Sequence, residues 1–243
     1  MGVEAETAAL IARFTTPPTG DRRGHINGLI TSLKTAGVWS KLDALYLLAA
    51  ADAQAARQNW IADLYNLTAL SSPTFTADRG YTGDGASSYL ATGALRNGLS
   101  KFTLNSASIG VWERTDIEAT NYAVGTATGA VGRIQTRAAG GAGGRLNGAT
   151  GVAFVTGSSV GLLALDRPTS GTMRAVRNGV QAITGASTSG TVTADEFYLL
   201  RDGASYAARQ IASSFIGSAL SDAEHIALYN AINTYLQAVG AAS

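Results

Sequence analysis

Residues 72–93, SPTFTADRGYTGDGASSYLATG, followed by residues 106–115, SASIGVWERT, constrain the fold more tightly than any other part of this chain. An aromatic-bearing strand, a Gly-Asp-Gly turn and a second strand ending on Tyr89 and Leu90 lead into an alternating strand, the pattern expected at the entry of a two-sheet β sandwich. Phe75 supplies a core anchor, and Gly80, Gly83 and Gly85 permit the tight connection. Downstream, short strand-like runs recur at 102–104, 108–114, 133–136, 152–155, 161–166, 172–177 and 196–201, separated by turn signals. Such spacing predicts an antiparallel sandwich or barrel. Asn178-Gly179 is the strongest hairpin signal, because Asn-Gly supplies the two positive φ values of a type I′ turn. Residues 138–151 are glycine-rich and low in complexity, and read as a mobile loop, whereas residues 179–193 read as a strand and loop.

Helical periodicity appears only near the two ends. Ala8, Leu10, Ile11 and Phe14 recur at helical spacing until Pro17-Pro18 ends the pattern, and Ile26, Leu29, Ile30 and Leu33 form a second apolar face ahead of Gly37. Ser221 and Glu224 match a capping box, after which Leu228, Ile232, Tyr235, Leu236 and Val239 share one face up to Gly240. Residues 42–50 are nearly continuously apolar and admit either a buried strand or a short helix; Tyr46 and the polar segment that follows favour the strand. The expected organisation is therefore a helical segment over 1–38, a jelly-roll sandwich over 39–215 and a C-terminal helix over 216–243.

Composition narrows the partners. Charged residues make up only 14 % of the 243, and 18 basic against 17 acidic side chains leave a net charge of +1. A dense Lys/Arg stripe of the kind that neutralises many phosphates is missing from the sequence, so no nucleic-acid partner is expected. The smooth, weakly charged surface suits packing against copies of itself or other proteins. Without cysteine there is neither a thiolate metal site nor a thiol nucleophile. The N-terminus carries two Glu where a signal peptide is basic, and no apolar run reaches the roughly 20 residues of a membrane span, so neither a cleaved signal peptide nor membrane insertion is expected.

The succession of residues 37–46 (GVWSKLDALY), 72–85 (SPTFTADRGYTGDG), 108–112 (SIGVW), 177–180 (RNGV), 197–203 (FYLLRDG) and 215–224 (FIGSALSDAE) resembles tailed-bacteriophage and prophage virion proteins that carry a concanavalin A-like, or laminin G-like, jelly roll. The resemblance spans most of residues 37–240. It implies a non-enzymatic structural protein of the virion, tail-associated or capsid-decorating, assembled in the host cytoplasm in multiple copies beside other virion proteins. The alternative it leaves open is a carbohydrate-binding receptor-recognition module whose partner is a host surface glycan. Such jelly rolls serve as glycan binders, protein modules or spacers, so there is no catalytic set to carry over and fold alone does not decide between them.

Alternation along residues 108–114 sends Ile109 and Val111 to one face and Ser108, Gly110, Trp112 and Arg114 to the other. If the second face is open, Trp112 and Arg114, with nearby Tyr122, are the candidate glycan contacts; the competing reading makes Trp112 a core or interface residue. Glu113, Asp116 and Glu118 are the nearest approach to a glycosidase carboxylate pair. On one unbroken strand Glu113 points away from the other two, which argues for a solvated strand end and against hydrolysis. His25 and His225 fall in separate helices, and Asp222 near His225 reads as a helix-surface pair beside the Ser221 cap, not as a triad. Asp78, Asp84, Asp195 and Asp202 sit near turns, where capping of their own backbone is favoured over a calcium shell. Residues 140–145 lack the Lys-Ser/Thr and the strand-to-helix setting of a phosphate loop. No metal and no cofactor is expected.

Overall fold

The computed structural model describes residues 2–128 and 131–241; Met1, 129–130 and 242–243, which include the outer ends of the first and last predicted segments, lie outside the described residues. Two helices, α1 (Ala5–Ile11) and α2 (Gly20–Thr35), precede the strands. The strands are β1 (Leu42–Leu47), β2 (Thr68–Leu70), β3 (Thr74–Thr76), β4 (Gly80–Thr82), β5 (Tyr89–Leu95), β6 (Ala107–Glu113), β7 (Val124–Thr126), β8 (Gly132–Ala138), β9 (Gly141–Leu146), β10 (Val152–Phe154), β11 (Gly161–Thr169), β12 (Thr172–Arg177), β13 (Val180–Ala186), β14 (Glu196–Leu199), β15 (Arg201–Asp202), β16 (Ser205–Tyr206) and β17 (Gln210–Gly217). Helix α3 (Asp222–Ala238) closes the described chain.

The strands form an antiparallel sandwich. One sheet runs β13-β12-β11-β6-β17-β4-β3, with β1 also paired to β17; the other runs β10-β9-β8-β7-β14-β5-β2. Strand β17 divides one edge between two partners: Gln210 and Ile211 meet β4, and residues 213–217 meet β1. Ile109, Val111, Leu163 and Leu165 of the first sheet pack against Ile134, Phe197 and Leu199 of the second. The other face of the first sheet is covered by helices, where Leu45, Leu47, Trp112, Leu162 and Phe215 meet Ile26, Ile30, Leu33, Leu228, Ile232 and Leu236. Three layers result, helices on sheet on sheet, and the central strands β1, β6, β11 and β17 of the first sheet are buried on both faces. That double burial explains the continuous apolar run of β1, whose six residues are all buried.

The helix ends follow their capping chemistry. The Thr19 hydroxyl accepts from the Arg22 N–H at 3.4 Å at the start of α2. At α3, Ser221 Oγ accepts from the Glu224 N–H at 3.4 Å while the Glu224 carboxylate accepts from the Ser221 N–H at 2.8 Å. Asn178 and Gly179 adopt φ of 49° and 81°, the expected turn between β12 and β13. Among the described residues no helix is long and apolar enough to cross a membrane.

Four local expectations are corrected. Residues 138–151, expected as a mobile loop, contain β9, which pairs with β8 and β10. Residues 102–104 form no strand, because the Asp43 carboxylate accepts from the backbone N–H groups of Ser100, Lys101 and Phe102 at 2.7–2.9 Å and satisfies them outside any ladder. The run 196–201 is broken at Leu200, whose φ of 68° turns the chain out of the sheet into β15. Tyr89 starts a strand instead of ending one: β3 and β4 belong to the first sheet and β5 to the second, so residues 83–88 cross between sheets. Asp84 holds that crossing by accepting from the N–H groups of Ala86, Ser87 and Ser88, which keeps its carboxyl well below the usual range.

Candidate functional site

Among the described residues no helix covers the outer face of the second sheet, and alternation decides which side chains reach it. Ile134, Ala142, Leu146 and Val152 turn inward to the core. Arg133, Gln135, Gly141, Gly143, Arg145 and Ala153 therefore turn outward. Register places Gln135 opposite Gly143 and Gly143 opposite Ala153, so one row across β8, β9 and β10 is nearly devoid of side chains. The glycines are sterically required. A Cβ on Gly141 would lie 2.3 Å from the Phe154 carbonyl oxygen, on Gly143 2.0 Å from that of Val152, and on Gly144 1.9 Å from that of Arg133. The bare row forms the floor of a groove of about 290 Å³, with Tyr122, Arg133, Gln135 and Arg145 at its rim.

The rim is positioned by short hydrogen bonds and ring contacts. The Arg133 guanidinium sits 4.5 Å from the centre of the Tyr122 ring and 3.2 Å from Asp202 Oδ2. Gln135 Nε2 donates to the Thr120 carbonyl at 2.6 Å. Asp202 also accepts from the Thr126 N–H at 3.0 Å; burial pushes its carboxyl up, and the Thr126 and Arg133 donors oppose that rise. The β15–β16 hairpin that carries Asp202 lies on β7, against Gly125, where a Cβ would come within 2.3 Å of Asp202 Cβ. On the hairpin itself, the Arg201 guanidinium lies 4.5, 4.8 and 5.3 Å from the ring centres of Tyr89, Tyr198 and Tyr206. The face thus presents a glycine-floored groove and an aromatic platform that the hairpin residues Arg201 and Tyr206 help to build.

The structure divides the predicted site residues. Trp112 and Arg114, candidate glycan contacts only if that face were open, lie on the helix-covered face, so the glycan reading is corrected and Trp112 takes the competing core reading. Trp112 is 3 % exposed and stacks on Tyr229 of α3, with ring centres 5.6 Å apart and planes 4° from parallel. Arg114 Nε donates to the Ala241 carbonyl and Nη1 to Gln210 Oε1, each at 2.7 Å. Tyr122 alone of the three reaches the groove. Sequence reasoning missed Arg133, Gln135 and Arg145. The available signal was the period of two in Arg133-Ile134-Gln135 and in Gly141-Ala142-Gly143, obscured because glycine carries no hydropathy pattern.

The carboxylates weighed for hydrolysis are engaged elsewhere. Glu113 turns between the sheets, fully buried, and receives Arg209 Nη1 at 2.8 Å and the Thr136 hydroxyl. Burial pushes its carboxyl above the ordinary range, with Arg209 opposing. Asp116 and Glu118 pair with Arg137 at 2.9 and 3.6 Å. His225 is buried with Nε2 3.4 Å from Asp166 of β11, not paired with Asp222. Asp78 pairs with Arg22 at 2.7 Å, and Asp195 accepts from Thr128 Oγ1 at 2.6 Å. Among the described residues, no three His, Asp or Glu side chains gather where they could hold a metal ion.

No protein-family model and no curated protein sequence matches this chain. Solved structures share its fold. Domain 4 of an extracellular GH43 arabinanase from Geobacillus stearothermophilus, in complex with arabinotriose, superposes with a TM-score of 0.52 at 13 % identity, over 77 % of this chain and 98 % of that one. The receptor-binding domain of a botulinum neurotoxin C/D mosaic serotype gives 0.57 at 9 % identity, over 79 % and 51 %. Trypanosoma rangeli sialidase in complex with sialic acid gives 0.52 at 10 % identity, over 84 % and 38 %. The chain therefore spans about half of the toxin domain and about two-fifths of the sialidase. At these identities the likeness establishes a β-sandwich fold.

Proposed function

We propose that this chain is a non-enzymatic glycan-binding module that recognises sugars through the outer face of its second sheet. The groove floored by Gly141 and Gly143 and rimmed by Tyr122, Arg133 and Gln135 carries this reading. A bare sheet row admits a flat pyranose or furanose ring, an aromatic rim offers it an apolar surface, and guanidinium and amide groups hydrogen-bond its hydroxyls. Similarly folded structures hold arabinotriose and sialic acid in their own chains, which supports a sugar over other small ligands. The buried pairing of Glu113 with Arg209 supports binding without hydrolysis.

A second reading places the module in a tailed-phage virion, in multiple copies, on the tail or as a capsid decoration. Motif order along residues 37–240 and the low surface charge favour it. Repetition on a particle would raise the avidity of a weak single site by roughly 10² to 10⁴. Labelling of purified particles tests the location, and absence from mature virions removes this second reading alone.

The test of binding is a glycan array probed with the full chain on a multivalent support, repeated with Tyr122→Ala. Retention of a defined glycan set by the wild type, reduced about tenfold in a variant that still unfolds cooperatively, is the expected result. Failure to retain any glycan, or equal retention by the variant, overturns the assignment to this groove.

A further inference from the structure

Strand register sets Arg133 of β8 directly opposite Arg145 of β9 on the outer face. Like charges at opposed positions repel unless they turn apart, and here the Arg133 guanidinium turns to Asp202 and Tyr122 while the Arg145 stem turns to Gly151. Three guanidiniums serve this part of the face. Arg137 is met by Asp116 and Glu118, and Arg133 by Asp202. The Arg145 guanidinium makes no hydrogen bond or ion pair with any described residue, and its stem runs beside Gly151, where a Cβ would lie 3.0 Å from Arg145 Cγ. No residue lining the groove is acidic. An excess of positive charge is thus held at one end of a glycine-floored groove and left for something outside the fold to neutralise.

We infer that the groove selects a sugar carrying an anionic substituent, a carboxylate or a sulfate ester, bound by the Arg145 guanidinium opposite Arg133; this rests on the glycan-binding reading and names the class of sugar. The planar fork of Arg145 matches two oxygens of either anion. Tyr122 lies against Arg133 at the same rim, so a ring beside Tyr122 places a substituent within reach of the opposed pair. One guanidinium without a partner among the described residues and a net charge of +1 suit one anionic group on a ligand, not a polyanionic backbone.

The experiment measures direct binding to matched pairs: 3′-sialyllactose against its sialic acid methyl ester, oligogalacturonate against its methyl ester, and a 6-sulfated N-acetyllactosamine against the unsulfated sugar. Wild type should prefer the acidic member of at least one pair by about tenfold, less at high salt, and the pair that responds separates carboxylate from sulfate recognition. Arg145→Gln should reduce that preference to within about twofold while still unfolding cooperatively near the wild-type temperature. Equal affinity for acidic and neutral members, or an unchanged preference in Arg145→Gln, overturns this inference and leaves the glycan reading intact. Binding to neither member of any pair overturns both.

Discussion

The two sheets are alike in architecture and opposite in what they do with their outer faces. The first offers Leu45, Leu47, Trp112, Leu162 and Phe215 to the helices, which cover its central strands. The second offers Arg133, Gln135, Arg145 and glycines, and no helix among the described residues covers it. An aromatic on a strand therefore says little about function until the covering layer is known. Trp112, the more conspicuous candidate, is packing, whereas Tyr122, from a connection ahead of β7, is at the groove.

The strongest way to break this contrast is to disturb what joins the sheets. Arg209→Met should cost about 3–5 kcal/mol at neutral pH, because it leaves Glu113 charged and unpaired between them. Burial already raises the Glu113 carboxyl, and loss of Arg209 raises it further. A carboxyl whose folded pKa lies above its unfolded one binds more protons in the folded state. The variant should regain stability as pH falls through that raised value and lose it as pH rises, which denaturant titration across acid to neutral pH will read. Urea melts in which acidification adds nothing to the variant would place the cost outside the Glu113 charge.

On the covered face, Trp112→Ala removes a ring stacked on Tyr229 and should cost a comparable 3–5 kcal/mol, about that of other buried large-to-small changes. Its binding curve, measured well below its unfolding temperature, should match wild type. A selective loss of glycan binding in a folded Trp112→Ala would reverse the roles of the two faces. The smallest stability effect belongs to the bare face: Tyr122→Ala should change unfolding free energy by no more than about 0.5–1 kcal/mol while it weakens binding. Binding and stability thus separate in opposite directions at the two aromatics.

The sandwich was legible because its information is local. Alternation around Ile109 and Val111, the Asn178-Gly179 turn and the Ser221/Glu224 capping box each act over a few residues, and each appears in the structure where the sequence predicts it. The site was less legible because it is made by register. Nothing in the sequence states that Arg133 faces Arg145, since that depends on β8 and β9 pairing through glycines whose composition reads as loop. The Trp112 face could not be assigned either, because alternation separates two faces without saying which one a distant helix will cover.

The glycine floor has a consequence for how such a groove can change over generations. Carbonyl oxygens of neighbouring strands stand within 2.3 Å of where side chains would begin at Gly141, Gly143 and Gly144, so mutation cannot deepen, fill or reshape the floor without parting the strands. The rim has no such restriction. Tyr122, Gln135 and Arg145 can be exchanged while the sheet stays paired, so a lineage that shifts from one sugar to another would keep its glycines invariant and record the shift at those rim positions.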